Sequence, residues 1–121
     1  MKQPKRAMPE IDTKISEDEF QTQVISLAHL LGWKIAHFRG VRTQRRDGSV
    51  FYQTPVQADG KGFPDLVMVK DKRVIYAELK SEKGVLSVEQ KEWLRLLALD
   101  KKREVYCWRP SEIWDIQEIL E

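Results

Sequence analysis

Apolar residues in "SEDEFQTQVISLAHLLG" (16–32) recur at helical spacing, with Phe20, Val24, Leu27, Ala28 and Leu31 on one face. Ser16 stands where an N-cap is needed, with Glu19 three residues on as a capping box, and Gly32 supplies the stop. "WKIAHFR" (33–39) then reads as a strand. "VRTQRRDGSVFYQTP" reads as a hairpin around Asp47-Gly48, two residues that tolerate the positive φ of a tight turn. "QADGKGFP" is a Gly-rich loop. Residues 65–70 and 74–80 are two strands turned by "DKR". Ser87 opens a second helix running to about Leu99, and 103–108 is a further strand. Ser111 starts a short last helix with Ile113, Ile116, Ile119 and Leu120 apolar. The strand at 74–80, the helix and the strand at 103–108 make a βαβ unit, so its strands should be parallel with a right-handed crossover. The pattern predicts an α/β fold, a mixed β-sheet flanked by helices in the order α-β-hairpin-β-β-α-β-α. Residues 1–14, interrupted by Pro4 and Pro9, are expected to form a flexible tail before a single domain over 15–121. A basic hairpin is inserted at about 41–55.

A length of 121 residues suits one domain, and 41% apolar residues suffice for one modest core. The net charge of +2 names no partner, but its distribution is uneven. Residues 34–62 hold Lys34, Arg39, Arg42, Arg45, Arg46 and Lys61 against Asp47 and Asp59, a block of +4 on a remainder of −2. Such a block is either a solvated hairpin or a surface that faces a polyanion. Cys107 is the one cysteine, which excludes an intrachain disulfide and a cysteine zinc site and fits a reducing cytosol. No run approaches the roughly 18 apolar residues of a membrane span, and the basic N-terminus lacks the apolar core of a secretory signal. A cytoplasmic protein with no membrane partner is expected.

The strand at 74–80 carries charges where core is expected. Alternation puts Ile75, Ala77 and Leu79 on one face and Tyr76, Glu78 and Lys80 on the other, with Glu78 and Lys80 about 7 Å apart at roughly 3.3 Å per residue. Acid-x-Lys triplets occur five times in the chain and are no signal alone. Glu78/Lys80 is the one on an apolar strand directly after a hairpin partner that begins Pro64-Asp65. The parallel pairing makes this strand central, where a free charge costs several kcal/mol unless compensated. Glu17 falls near the middle of the buried stripe of the first helix, either as a helix-dipole charge or as an acid aimed at the sheet. Gln90 completes a Ser87-x-x-Gln90 capping box and also lies on the inward stripe of Trp93, Leu94 and Leu97. Asp65 and Glu78, with Glu17, offer hard oxygen ligands of the kind Mg²⁺ or Mn²⁺ takes beside waters and phosphate oxygens. Lys80 beside them can hold an attacking water and neutralise growing charge. The set suits metal-assisted phosphodiester hydrolysis.

Pro64-Asp65 followed by Glu78-x-Lys80 matches the PD-(D/E)xK nuclease pattern. "SEDEFQ", "LLGWKIAHF", "GKGFPDLVMV", "YAELKSEKGVLSVEQKEWL" and "VYCWRPSE" resemble, in order, the blocks of its VRR-NUC branch. The similarity runs from about Ser16 to Leu120 and looks like the small stand-alone phage or bacterial form. The resemblance implies a restriction-endonuclease-like core. It implies Asp65 and Glu78 as metal ligands, Lys80 as the catalytic lysine, Glu17 as a helix-borne acid near the metal and Gln90 as a polar neighbour. The Leu79 carbonyl is an expected further ligand. His37, which shares a strand face with Trp33, Ile35 and Arg39, is either a site neighbour or a hydrogen-bonded core or edge histidine. Gln21, four residues after Glu17, is a second possible neighbour.

The expected activity is an Mg²⁺- or Mn²⁺-dependent DNA endonuclease, selective for structures such as Holliday junctions or flaps, in replication, recombination or repair. The alternative is a non-catalytic DNA-binding module on a nuclease fold within a larger complex. Retention of Asp65, Glu78 and Lys80 favours the enzyme. Arg39, Arg42, Arg45, Arg46 and Lys61 are the expected DNA-binding residues, since arginine forks grip phosphates and a two-stranded ribbon fits a groove. The same hairpin could be a dimer arm. Cutting two strands calls for two copies, so a homodimer is expected. No small-molecule cofactor is.

Overall fold

The computed structural model describes residues 9–38, 41–53 and 57–121. The chain runs α1 (Glu17–Leu30), β1 (Lys34–His37), β2 (Val41–Gln44), β3 (Val50–Gln53), β4 (Leu66–Lys70), β5 (Arg73–Leu79), α2 (Val88–Leu97), β6 (Glu104–Trp108), a 3₁₀ turn (Pro110–Glu112) and α3 (Ile113–Leu120). The predicted element order is thus present. Four strands form one mixed sheet in the order β1-β4-β5-β6, and β2 and β3 form a separate two-stranded ribbon. β5 is central, antiparallel to β4 and parallel to β6. The expected parallel βαβ pair is there because α2 carries the chain back to start β6 in the direction of β5.

Local chemistry sets the element ends. Ser16 Oγ accepts from the Glu19 N–H and caps α1, but Glu19 does not return the bond, so only half of the expected capping box forms. Gly32 stops α1 at φ +91°. The Ser87–Gln90 box is complete and starts α2. Asp71 (φ +53°) turns β4 into β5 between the paired Lys70 and Arg73. The ribbon turn differs from the expected tight one. It spans Arg45–Ser49, closed by Arg45 N–H to the Ser49 carbonyl, and of Asp47-Gly48 only Gly48 has positive φ. Asp47 instead accepts from the Ser49 N–H and hydroxyl, an Asx-type closure. The last helix also starts differently, since Ser111 lies inside the 3₁₀ turn that Pro110 initiates.

Register gives each sheet face its role. Leu66 pairs Ala77, Met68 pairs Ile75, and Leu79 pairs Trp108, which puts all six on one face. They are buried against Phe20, Val24 and Ala28 of α1 and Ile116 and Leu120 of α3. Each such side chain fully buried stabilises by about 1.5–3 kcal/mol. Trp33 Nε1 donates to the Leu120 carbonyl at 2.9 Å inside this core, tying the exit of α1 to α3. The other face holds Tyr76 and Glu78. It is covered by α2 through edge-on aromatic contacts of Phe63 with Trp93 (5.1 Å) and with Tyr76 (6.2 Å).

Candidate active site

The register that builds the core also assembles the acids. Leu66 pairs Ala77, so one step further Asp65 meets Glu78 across the β4–β5 ladder. The two share the face opposite the aliphatic core. Asp65 Oδ2 accepts from the Leu79 N–H at 3.0 Å, which pins the carboxylate to the end of β5. Its own carbonyl accepts from the Phe38 N–H at 2.8 Å, so β1 supports it from the other side. Glu78 is 2% exposed. Its Oε1 accepts from Gln90 Nε2 at 2.9 Å, and its Oε2 is buried with no hydrogen-bond partner. Gln90 Oε1 simultaneously accepts from the Ser87 N–H at 2.8 Å. One amide therefore caps α2 with its oxygen and holds the site glutamate with its nitrogen.

Burial, more than any neighbour, raises the pKa values of these acids. Glu78 is pushed up to about 9 by burial and then by the charge of Asp65, with Lys80 opposing. Asp65 is raised by burial, against the pull of the Leu79 N–H, Glu78, His37 and Lys80. Glu17, half-buried at the start of α1, is raised by burial with Lys80 opposing. Lys80 Nζ lies 4.0 Å from Glu17 Oε1, the outer limit of an ion pair, and its side chain is 15% exposed. Among the described residues, no hydrogen bond is made by that ammonium. α1 thus brings Glu17 to the lysine, β4 and β5 bring Asp65 to Glu78, and α2 brings Gln90.

Among the described residues no three His, Cys, Asp or Glu side chains converge as a ready ligand cage. The donors that converge are two carboxylates, with Glu17 reached through Lys80. Two raised carboxyls with an orphaned oxygen suit a hard divalent cation that keeps waters of its own, and Cys107, paired with Glu78 across the β5–β6 ladder, is a single thiol beside an oxygen-donor set.

The remaining expected residues divide. Gln21 is buried, and with Asp18, Thr22, Ser26 and His37 it lines a groove of about 230 Å³ between α1 and β1. His37 pairs Leu66 and so faces the α1 side, across the sheet from Glu78, and its Nε2 is buried without a partner. It is a neighbour of Asp65, not a member of the acid pair. Arg45 stacks over Phe51 at 4.3 Å, Arg46 is exposed, and Lys61 pairs with Glu89 at 3.3 Å. Arg39 and the side chain of Arg42 lie outside the described residues.

Two contributors carry no signal in sequence spacing. Gly62 (φ +84°) lies so close to α2 that a Cβ would stand 2.6 Å from the Glu89 carbonyl carbon and 2.7 Å from Gln90 N. Arg109 reaches back 28 residues to the turn after β5. Both depend on the folded approach of segments far apart in the chain. The glycine in "GKGFPD" is the one visible hint.

A family model of the VRR-NUC domain matches residues 16–107, most of the chain, and the chain belongs to that family. No curated protein and no solved structure matches it. The matched residues therefore form a nuclease-type, DNA-processing domain.

Proposed function

We propose that the protein is an Mg²⁺- or Mn²⁺-dependent endonuclease that hydrolyses phosphodiester bonds in DNA, with a preference for branched structures such as junctions or flaps. The observation that carries this reading is the buried Glu78, facing Asp65 with one oxygen unpartnered and within the electrostatic reach of Lys80. Burial and Asp65 keep Glu78 protonated near neutral pH, and a divalent cation at the pair would displace that proton and compensate both carboxylates. Asp65 and Glu78 would hold the cation, with Glu17 near it and the Leu79 carbonyl as a further donor. The bound cation supplies Lewis-acid polarisation of a phosphate oxygen and a more acidic water.

This chain's residues do the rest. Lys80 orients the attacking water and offsets the charge that grows on the phosphate oxygens. Gln90 fixes the Glu78 rotamer through Oε1 and leaves Oε2 free to coordinate. The Leu79 N–H holds Asp65 toward the same point. The water oxygen would add to phosphorus as water gives up one proton to solvent, the bond to the leaving sugar oxygen would break, and that oxygen would take one proton from a neighbouring water. Exposed Arg46 and its ribbon neighbours suit phosphate backbone contacts. The described residues form one such centre, so a homodimer acting in the cytoplasm would cut paired strands.

The test is cleavage of labelled linear duplex, single strand, flap and four-way junction with Mg²⁺, Mn²⁺ or EDTA, beside Glu78→Ala and Lys80→Ala. Metal-dependent cutting that disappears in both variants is expected. Full activity in either variant would overturn the site. Binding without cutting under any metal would leave a DNA-binding module.

A further inference from the structure

β5 and β6 are parallel, so both end at the same edge of the sheet, and the chain leaving each lies beside the other. The first residue past β5 is Lys80, whose N–H donates to the Trp108 carbonyl at 3.0 Å. The first past β6 is Arg109. Its Nη1 donates to three carbonyls of the turn that follows the lysine, those of Ser81 (2.8 Å), Glu82 (3.2 Å) and Gly84 (2.7 Å). Glu82 Oε2 accepts from the Ser111 N–H at 3.0 Å, and Glu112 Oε1 accepts from the Arg109 N–H at 3.0 Å, so the segment bearing the arginine is itself held. On its other side the turn lies against the lysine. A Cβ at Gly84 would stand 3.4 Å from Lys80 Cδ and 2.9 Å from Ser81 Oγ.

We propose that Arg109 is a positioning residue for Lys80: it gathers the carbonyls of the 81–84 turn, holds that turn against the lysine stem, and so fixes where the ammonium stands. The inference rests on the reading of Lys80 given above. Two consequences follow from the chemistry. A lysine stem has four rotatable bonds, and a packed collar removes freedom that would otherwise have to be lost at each turnover. The turn's carbonyls are also acceptors that a nearby ammonium would seek. Arg109 occupies three of them, and Lys80 Nζ is left for phosphate and water. A guanidinium stays charged at any working pH, and its planar fork has donors to spare where lysine has a point charge.

The experiment compares wild type with Arg109→Gln, Arg109→Lys and, as control, Arg95→Gln on the outer face of α2. Single-turnover cleavage under saturating DNA and Mg²⁺ is read together with DNA affinity. It is also read with the Lys80 ¹³Cε NMR signal, assigned with Lys80→Arg. Arg109→Gln should slow cleavage about tenfold to a hundredfold with affinity within about twofold, the scale of a misplaced catalytic group. The Lys80 signal should lose its distinct position, Arg109→Lys should restore only part of the rate, and Arg95→Gln should change neither. Gly84→Ala should produce the same slowing, and Ser81→Ala should partly rescue it by removing the oxygen at 2.9 Å. A wild-type rate and an unchanged Lys80 signal in Arg109→Gln would overturn the proposal, as would an equal loss of rate and affinity. If the wild type itself does not cleave, the nuclease reading fails, while the Lys80 signal still decides whether Arg109 holds the lysine.

Discussion

Replacing Gly62 with alanine should damage both the fold and the site, and the structure sets the size of each effect. Gly62 has φ +84°, so alanine there bears a left-handed penalty of about 1–2 kcal/mol. The added Cβ would also lie 2.6 Å from the Glu89 carbonyl carbon and 2.7 Å from both Gln90 N and Glu89 Cβ. Two of these neighbours are backbone atoms of the first turn of α2, which cannot rotate away. Overpacking of this kind costs about 1–3 kcal/mol, so the total loss should be about 2–5 kcal/mol. Ordinary contact near 3.4 Å requires α2 and the loop to part by about 0.8 Å. If α2 moves, the 2.9 Å bond from Gln90 to Glu78 passes beyond hydrogen-bond range. Gly48→Ala is the matched control, because Gly48 has φ +89° but nothing within 4 Å of its Cβ position. It should cost the left-handed penalty alone. Urea melts of both variants, with cleavage rates, separate the two terms. Equal destabilisation by both substitutions, or wild-type cleavage by Gly62→Ala, would refute the close-approach reasoning.

Stability of the metal-free protein should fall as pH rises. The folded-state pKa of Glu78, about 9, lies above its ordinary value near 4.5. Its contribution is therefore complete below about pH 4.5 and is lost as pH climbs toward 9, by at most about 1.4 kcal/mol per pH unit. Urea melts in EDTA at pH 5, 7 and 9 should show this slope in wild type and a much flatter one in Glu78→Gln; parallel slopes would contradict it. Trp33→Phe should cost about 1–3 kcal/mol by stranding the Leu120 carbonyl, and an unchanged melting temperature would show that water replaces the indole. Arg46→Glu should weaken DNA binding and flatten its salt dependence, whereas an unchanged slope would take the ribbon away from the DNA.

The helical stripe of α1, the alternation in β5 and the central place of that strand were legible because each follows from period and connection length. Glu78/Lys80 stood out from four similar triplets by its apolar strand and by the hairpin partner before it that begins Pro64-Asp65. Gln90 shows where one-dimensional reading divides what the molecule joins. Capping and site contact looked like alternatives, but an amide has an acceptor at one end and donors at the other, and it serves both. Glu19 shows the reverse, since its spacing promised a returned cap bond that the folded chain does not make. The close approach of Gly62 and the grip of Arg109 were illegible for a common reason. Their surroundings are assembled by segments that meet only after the sheet has formed.

The unpartnered oxygen of Glu78 also has a meaning for how this protein could change over generations or in a laboratory screen. Substitution by glutamine or an apolar residue of similar volume removes the cost of burying that acid, so on the proposed role of Glu78 variants without the chemistry should fold more firmly than the parent. Selection for heat resistance alone would then drift toward inert proteins with intact architecture. A well-folded relative would be no proof of a working one, and under the proposed function the glutamate would persist only where cutting itself is demanded.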